Sequence, residues 1–166
     1  MININRHYKK FHRGVGIIEV MTAIAIAAIF FTAIYQLLIF SVRTTHNRTM
    51  ETEGIYLAQE GMEAVRFIKS AGWSANILPL VNGTIYYPVI SGSEWVLSTV
   101  NPGAINSVYT RRAVFSEVKR DVNDDINSLG TADPDTRKVT ITVEWNETGG
   151  ARNIAVETYI SNFLAN

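Results

Sequence analysis

The chain has 166 residues, 47% of them hydrophobic, with 15 basic and 15 acidic side chains and no cysteine. That length suits one modest folded unit, and the missing cysteines exclude disulfides, thiolate metal sites and thiol nucleophiles. The cancelled charge hides a gradient. Arg6, Lys9, Lys10 and Arg13 stand within residues 1–14 with no acid, leaving 11 basic against 15 acidic residues beyond. This balance provides no basic face for nucleic acid, and the head reads as a topogenic segment.

Residues 20–40, "VMTAIAIAAIFFTAIYQLLIF", carry no formal charge over 21 positions. At 1.5 Å per residue a helix of that length covers about 32 Å, the hydrocarbon thickness of a bilayer. A cleaved secretory signal has a shorter apolar core, about 7–15 residues, followed by a small-x-small site. Ala23-Ile24-Ala25 and Ala25-Ile26-Ala27 supply that spacing, but inside the run, where a cut would strand half an apolar helix on the product. The span therefore reads as retained. Positive charge concentrated before it places the head in the cytoplasm and the C-terminal part outside.

The helical pattern continues past the membrane. Neither glycine nor proline occurs between Ile17 and Glu53, and Leu57, Ala58, Gly61, Met62, Val65 and Ile68 then recur at three- and four-residue steps. One helix from Val15 to about Ser70 is the economical reading, apolar all round at first and then single-striped opposite Glu60, Glu63, Arg66 and Lys69. Gly72 is the expected stop, and Gly54 and Gly61 are candidate points of bending. Between Trp73 and Asn106, three prolines and three glycines predict loops with one or two short strands, "TIYYPVI" and "EWVLSTV". Three firmer strands follow: "VYTRRAVFSEVKR", "RKVTITVEW" and "RNIAVETYISNF", the last two joined by the turn "NETGG". Val139, Ile141, Val143 and Trp145 alternate with polar residues, the pattern of a sheet with one buried face. The expected fold is α+β, a long N-terminal helix packed on a C-terminal antiparallel sheet.

Few residues suggest chemistry. The histidines at 7, 12 and 46 have no spaced partner, and no nucleophile elbow, zinc-binding helix pair or phosphate loop occurs, so an enzyme reading has no motif and no cofactor is expected. Asp121, Asn123 and Asp125 copy the first three ligands of a calcium loop, but Ile126 and Ala132 occupy the positions that need glycine and a bidentate glutamate. Asp133-Pro134-Asp135 reads as the bend of a solvated turn. Glu19 differs, because a carboxylate at the entrance to an apolar span calls for a positive partner. Arg13 is the only cation nearby; a cut between Gly14 and Val15 would remove it and create an α-amino group four residues before Glu19.

Those residues carry a resemblance. "KKFHRG" followed by "VGIIEV" and a long apolar helix resembles the type IV prepilin signature, in which a specialised peptidase cuts on the cytoplasmic side after glycine. On that resemblance Gly14 precedes the cut, Val15 becomes the N-methylated N-terminus, Ile17 and Ile18 form the apolar pair, and Glu19 is the motif's glutamate, which pairs with the N-terminal amine of an adjacent subunit. Val15 stands where phenylalanine is usual and Gly16 where threonine is common; Gly16 is a rival glycine, but the spacing to Glu19 favours Gly14. "AQEGMEAVRFIK", "DPDTRKVTITVEW" and "TYISNF" look like minor pilins of the pilus-modification type.

The resemblance implies a type IV pilin-like organisation: a removed leader over 1–14, a transmembrane and assembly helix over 15–42, an amphipathic continuation over 43–72, and an extracytoplasmic domain over 73–166. It implies a structural minor subunit held in the cytoplasmic membrane and then drawn into a cell-surface filament. Its partners would be a prepilin peptidase, other pilin or pseudopilin subunits, the inner-membrane assembly platform and the lipid bilayer. A pseudopilin of a secretion or DNA-uptake system uses the same helix. A single-pass anchored binding domain that never polymerises and an anchored enzyme are the alternatives from other classes.

Overall fold

The computed structural model describes Gly14, residues 16–147 and residues 149–163. The remainder of the expected leader, and Val15, lie outside the described residues. The elements in chain order are a helix α1 (Ile17–Ser70), a single turn α2 (Trp73–Asn76), and strands β1 (Ile85–Ser91), β2 (Glu94–Ser98), β3 (Thr110–Arg120), β4 (Thr131–Glu147) and β5 (Gly150–Ser161). The fold class is α+β, as the alternation of periods implied.

The chain divides into two compact units, residues 1–45 and 46–166. In the first, α1 is exposed on every side: Ile17, Ile18, Phe30, Phe31, Leu37 and Leu38 are neighbours in pairs and all face outward. A helix covered by protein on one side would show a buried stripe, and none is present among the described residues of this unit.

In the second unit, α1 carries that stripe. Leu57, Ala58, Met62, Val65 and Ile68 are buried at helical spacing, in one core with Ala113, Phe115, Val139, Ile141, Val143 and Trp145 from the sheet. Burial of the Leu, Met, Val, Ile and Phe side chains among them contributes about 1.5–3 kcal/mol each, and of the two alanines less. Tyr86 of β1 meets Phe115 edge to face at 5.9 Å, extending the core to the third strand. The sheet has the order β2-β1-β3-β4-β5 and every pairing is antiparallel. The two loop-region strands pair as a hairpin through Ser91 and Glu94, and β4 and β5 join across the expected turn, with Glu147 opposite Gly150.

One local reading changes. Asp133-Pro134-Asp135 does not end a loop; it lies within β4, where the ladder jumps from Glu117 opposite Arg137 to Val118 opposite Asp133. Proline lacks an N–H, and the irregularity spares it a ladder position. Helix α1 runs without interruption through Gly54 and Gly61. Both are buried, and a Cβ on Gly54 would lie 2.9 Å from Trp145 Cζ3 while one on Gly61 would lie 2.7 Å from Arg111 Cδ. They are glycine because a large side chain of the sheet passes directly beneath the helix backbone.

Candidate functional site

At the start of α1 the carbonyl of Gly16 accepts the amides of Glu19 at 3.0 Å and Val20 at 3.3 Å, closing the first turn. Glu19 thus sits in that first turn, where the partial positive charge of the free amides favours a carboxylate. Its side chain is exposed and makes no ion pair or side-chain hydrogen bond among the described residues. Gly14 is exposed too, with open space where a Cβ would stand. The expected juxtaposition of the Val15 amine with Glu19 lies outside the described residues.

Beyond Glu19 the helix contains its own polar groups. The hydroxyls of Thr22, Thr32 and Thr45 donate to the carbonyls of Glu19, Ala28 and Ser41 at 2.8–2.9 Å, the usual way a threonine is satisfied within an apolar helix. An 18-residue window of this helix has a mean hydropathy of 2.4 and is wholly unburied by protein. Among the described residues one helix is therefore long and apolar enough to cross a membrane.

Two polar constellations, neither anticipated from the sequence, tie α1 to the sheet in the second unit. The first centres on Tyr109, whose hydroxyl lies 3.0 Å from Glu53 Oε2 and 3.2 Å from the carbonyl of Met50. Asn106 Nδ2 donates to the other oxygen of Glu53 at 3.0 Å, from a left-handed turn in which Asn106 and Ser107 have φ of 51° and 60°. Burial, then the hydrogen bond and charge of Glu53, with a smaller contribution from Glu147, push the Tyr109 hydroxyl up to about 12.

The second centres on Arg111 of β3, whose side chain is only 5% exposed. One terminal nitrogen donates to the carbonyl of Leu57 at 3.1 Å and lies 3.4 Å from Glu60 Oε2; the other reaches the carbonyl of Pro88 at 3.4 Å. Nε has no partner. The guanidinium carbon lies 5.4 Å from the centre of the Trp95 ring, within cation–π range. Beside it opens a pocket of about 290 Å³ lined by Glu60, Trp95, Ile90, Pro102, Ile105 and Arg111, among others. Strand parity was the available signal: Tyr109, Arg111, Ala113 and Phe115 fall in one phase, so Arg111 shares the face of the buried residues while Arg112 faces the other way.

The acidic loop closes on itself. Asp121 Oδ1 accepts the amides of Asn123 at 2.9 Å and Asp125 at 3.2 Å, and the Asn123 contact leads the causes that hold this carboxyl below its ordinary value. Arg120 Nε donates to Asp133 Oδ2 at 2.7 Å, and its NH1 donates to the carbonyl of Asp124 at 2.8 Å. Among the described residues no group of three or more His, Asp or Glu side chains is arranged to hold a metal ion. No family model matches the chain, and no curated protein and no solved structure matches it.

Proposed function

We propose that the chain is a structural subunit of a type IV pilus or related filament, a minor pilin or pseudopilin. On this reading it is anchored by the apolar part of α1 and assembled through the same surface. The observation that carries the reading is a single helix that begins at a glycine-rich segment, presents in its first turn a carboxylate with no ion pair among the described residues, offers apolar side chains in every direction, and then continues into the α+β domain. In a bilayer, lipid covers that surface; in a filament, the helices of other subunits replace lipid. The exchange costs little, because lipid tails and aliphatic side chains are similarly apolar. Glu19 supplies what apolar contact lacks, namely register. A carboxylate in a low-dielectric helix bundle is stable only beside a cation, and the amine that cleavage after Gly14 would create at Val15 of a neighbouring subunit is that cation. Gly14 and Val15 are the cleavage residues, Val15 the methylated one, and Val15 and Glu19 the assembly pair.

The test is Glu19→Ala in cells that produce the filament. The variant is expected to remain in the membrane fraction and to fall at least about tenfold in sheared filaments, since loss of one partner of a desolvated pair costs well over 1.4 kcal/mol. Unchanged incorporation would show that Glu19 does not set register, and absence of the unaltered chain from sheared filaments would favour the membrane-anchored binding domain, for which the apolar helix is only an anchor.

A further inference from the structure

We propose that the pocket beside Arg111 binds a neutral saccharide unit, with Trp95 as the stacking surface and the Arg111–Glu60 pair as the hydrogen-bonding floor. The burial of Arg111 is the first ground. It lies in phase with Ala113 and Phe115 on the sheet face that packs under α1, where an aliphatic side chain would cost no charge desolvation. Its accommodation also requires Gly61, since a Cβ there would lie 2.7 Å from Arg111 Cδ, and glycine within a helix costs about 1 kcal/mol relative to alanine. Yet the guanidinium is incompletely used. Leu57 provides one good acceptor, Glu60 and Pro88 stand at 3.4 Å, and Nε has none. Nε is sealed from solvent, but the terminal nitrogen that reaches only the Pro88 carbonyl keeps a second N–H to spare where Pro88 and Arg111 line the open pocket, which points to an acceptor that arrives from outside.

The chemistry of the lining selects the class. Arg111 offers donors and Glu60 offers acceptors, side by side, and a sugar hydroxyl is both. Their charges cancel. A carboxylate or phosphate ligand would be opposed by Glu60, and an ammonium by Arg111, whereas a neutral polyol meets neither penalty. Trp95 is half-buried and walls this pocket together with Ile90, Pro102 and Ile105, presenting the apolar surface that a sugar ring's C–H face requires. At about 290 Å³ the pocket lies at the small end of ligand sites and suits one ring. A second hollow of about 450 Å³ lies against the same tryptophan, lined by Glu63, Phe67 and Ser70 among others, and provides room for a second unit. Every residue involved belongs to the second compact unit, so the proposal holds whether or not the chain polymerises.

The full-length protein in detergent micelles, labelled with 5-fluorotryptophan, provides the test, because its three tryptophans give three fluorine resonances. The Trp95 line is identified by its loss in Trp95→Phe. Titration with neutral methyl glycosides of a hexose, a 6-deoxyhexose and an N-acetylhexosamine is expected to shift that line saturably with at least one of them. The lines of Trp73 and Trp145, both buried, should stay in place. Glu60→Gln, with its unfolding midpoint measured alongside to separate lost binding from lost stability, is expected to weaken the response about tenfold while the Trp73 and Trp145 lines keep their positions. The proposal is overturned by a Trp95 line that no glycoside moves, by an equal response in Glu60→Gln, or by a line that moves only with N-acetylproline methylamide, which would mark a peptide groove instead.

Discussion

An alanine at Gly61 would gain about 1 kcal/mol of helix propensity and lose more to its neighbours. The added Cβ meets Arg111 Cδ at 2.7 Å and Ile141 Cγ2 at 3.0 Å; at Gly54 it meets the rigid ring of Trp145 at 2.9 Å. Gly61→Ala and Gly54→Ala are each expected to lower stability by about 1–2 kcal/mol in denaturant unfolding, since overpacking costs about 1–3 kcal/mol; a gain in either would show that the helix rides higher on the sheet. At Tyr109 the sign follows from a hydroxyl pushed up from 10.0 to about 12. The folded state holds the proton more tightly, so the added stability is fully present below pH 10 and is lost as pH rises toward 12. Tyr109→Phe is expected to lower stability at neutral pH by about 0.5–1.5 kcal/mol and to flatten the alkaline decline, as followed by pH-dependent unfolding. Neither glycine contact was legible in the sequence. Propensity describes what glycine does to a helix alone, and the deciding atoms belong to residues about fifty to ninety positions away.

At the level of elements, the legible parts were those with strong periodicity. The helix, the three C-terminal strands and the final hairpin were all present in the pattern, because a 3.6-residue stripe and a two-residue alternation each bury one face without reference to the rest of the chain. The β3–β4 connection was not. Asp133-Pro134-Asp135 has the composition of a turn, but it lies within a 17-residue strand because Arg120 holds Asp133 and because Asn162, just past β5, donates its amide to the carbonyl of Asp135 at 2.8 Å. The acidic loop has its own acid sensitivity. Asp121 is held below its ordinary value chiefly by the Asn123 amide; burial, the largest single influence on Asp133, pushes its carboxyl up, but hydrogen bonds from Thr136, Arg120 and the Asp135 amide together with the Arg120 charge hold it below its ordinary value. A carboxyl with a depressed pKa stabilises the fold above its unfolded value and ceases to do so as pH falls through the folded one. Amide exchange at Asn123 and Asp125 is therefore expected to quicken as pH drops below the ordinary carboxylate range, after allowance for intrinsic rates. Asp121→Ala should produce the same quickening at neutral pH. If these amides stay protected in the variant, the loop is held by Arg120 alone.

Taken as a whole, the molecule carries two chemically different surfaces. Residues 17–45 expose apolar side chains all round, which water does not tolerate in a stable monomer; residues 46–166 enclose a core of their own and leave a half-exposed, ion-paired outer sheet face, with Arg112–Glu144 and Lys138–Glu157 both at 2.7 Å. The apolar run was visible in the sequence by length alone. The pocket beside Arg111 was not, because it is assembled from a helix, two strands and a loop that no local pattern brings together. If this chain is a processed filament subunit, as proposed, the bond between Gly14 and Val15 is cut. Intact mass and peptide sequencing of the membrane-extracted protein measure that bond directly. A mature chain beginning at N-methylated Val15 is the expected result; a chain that retains Met1 and its basic head would contradict the account.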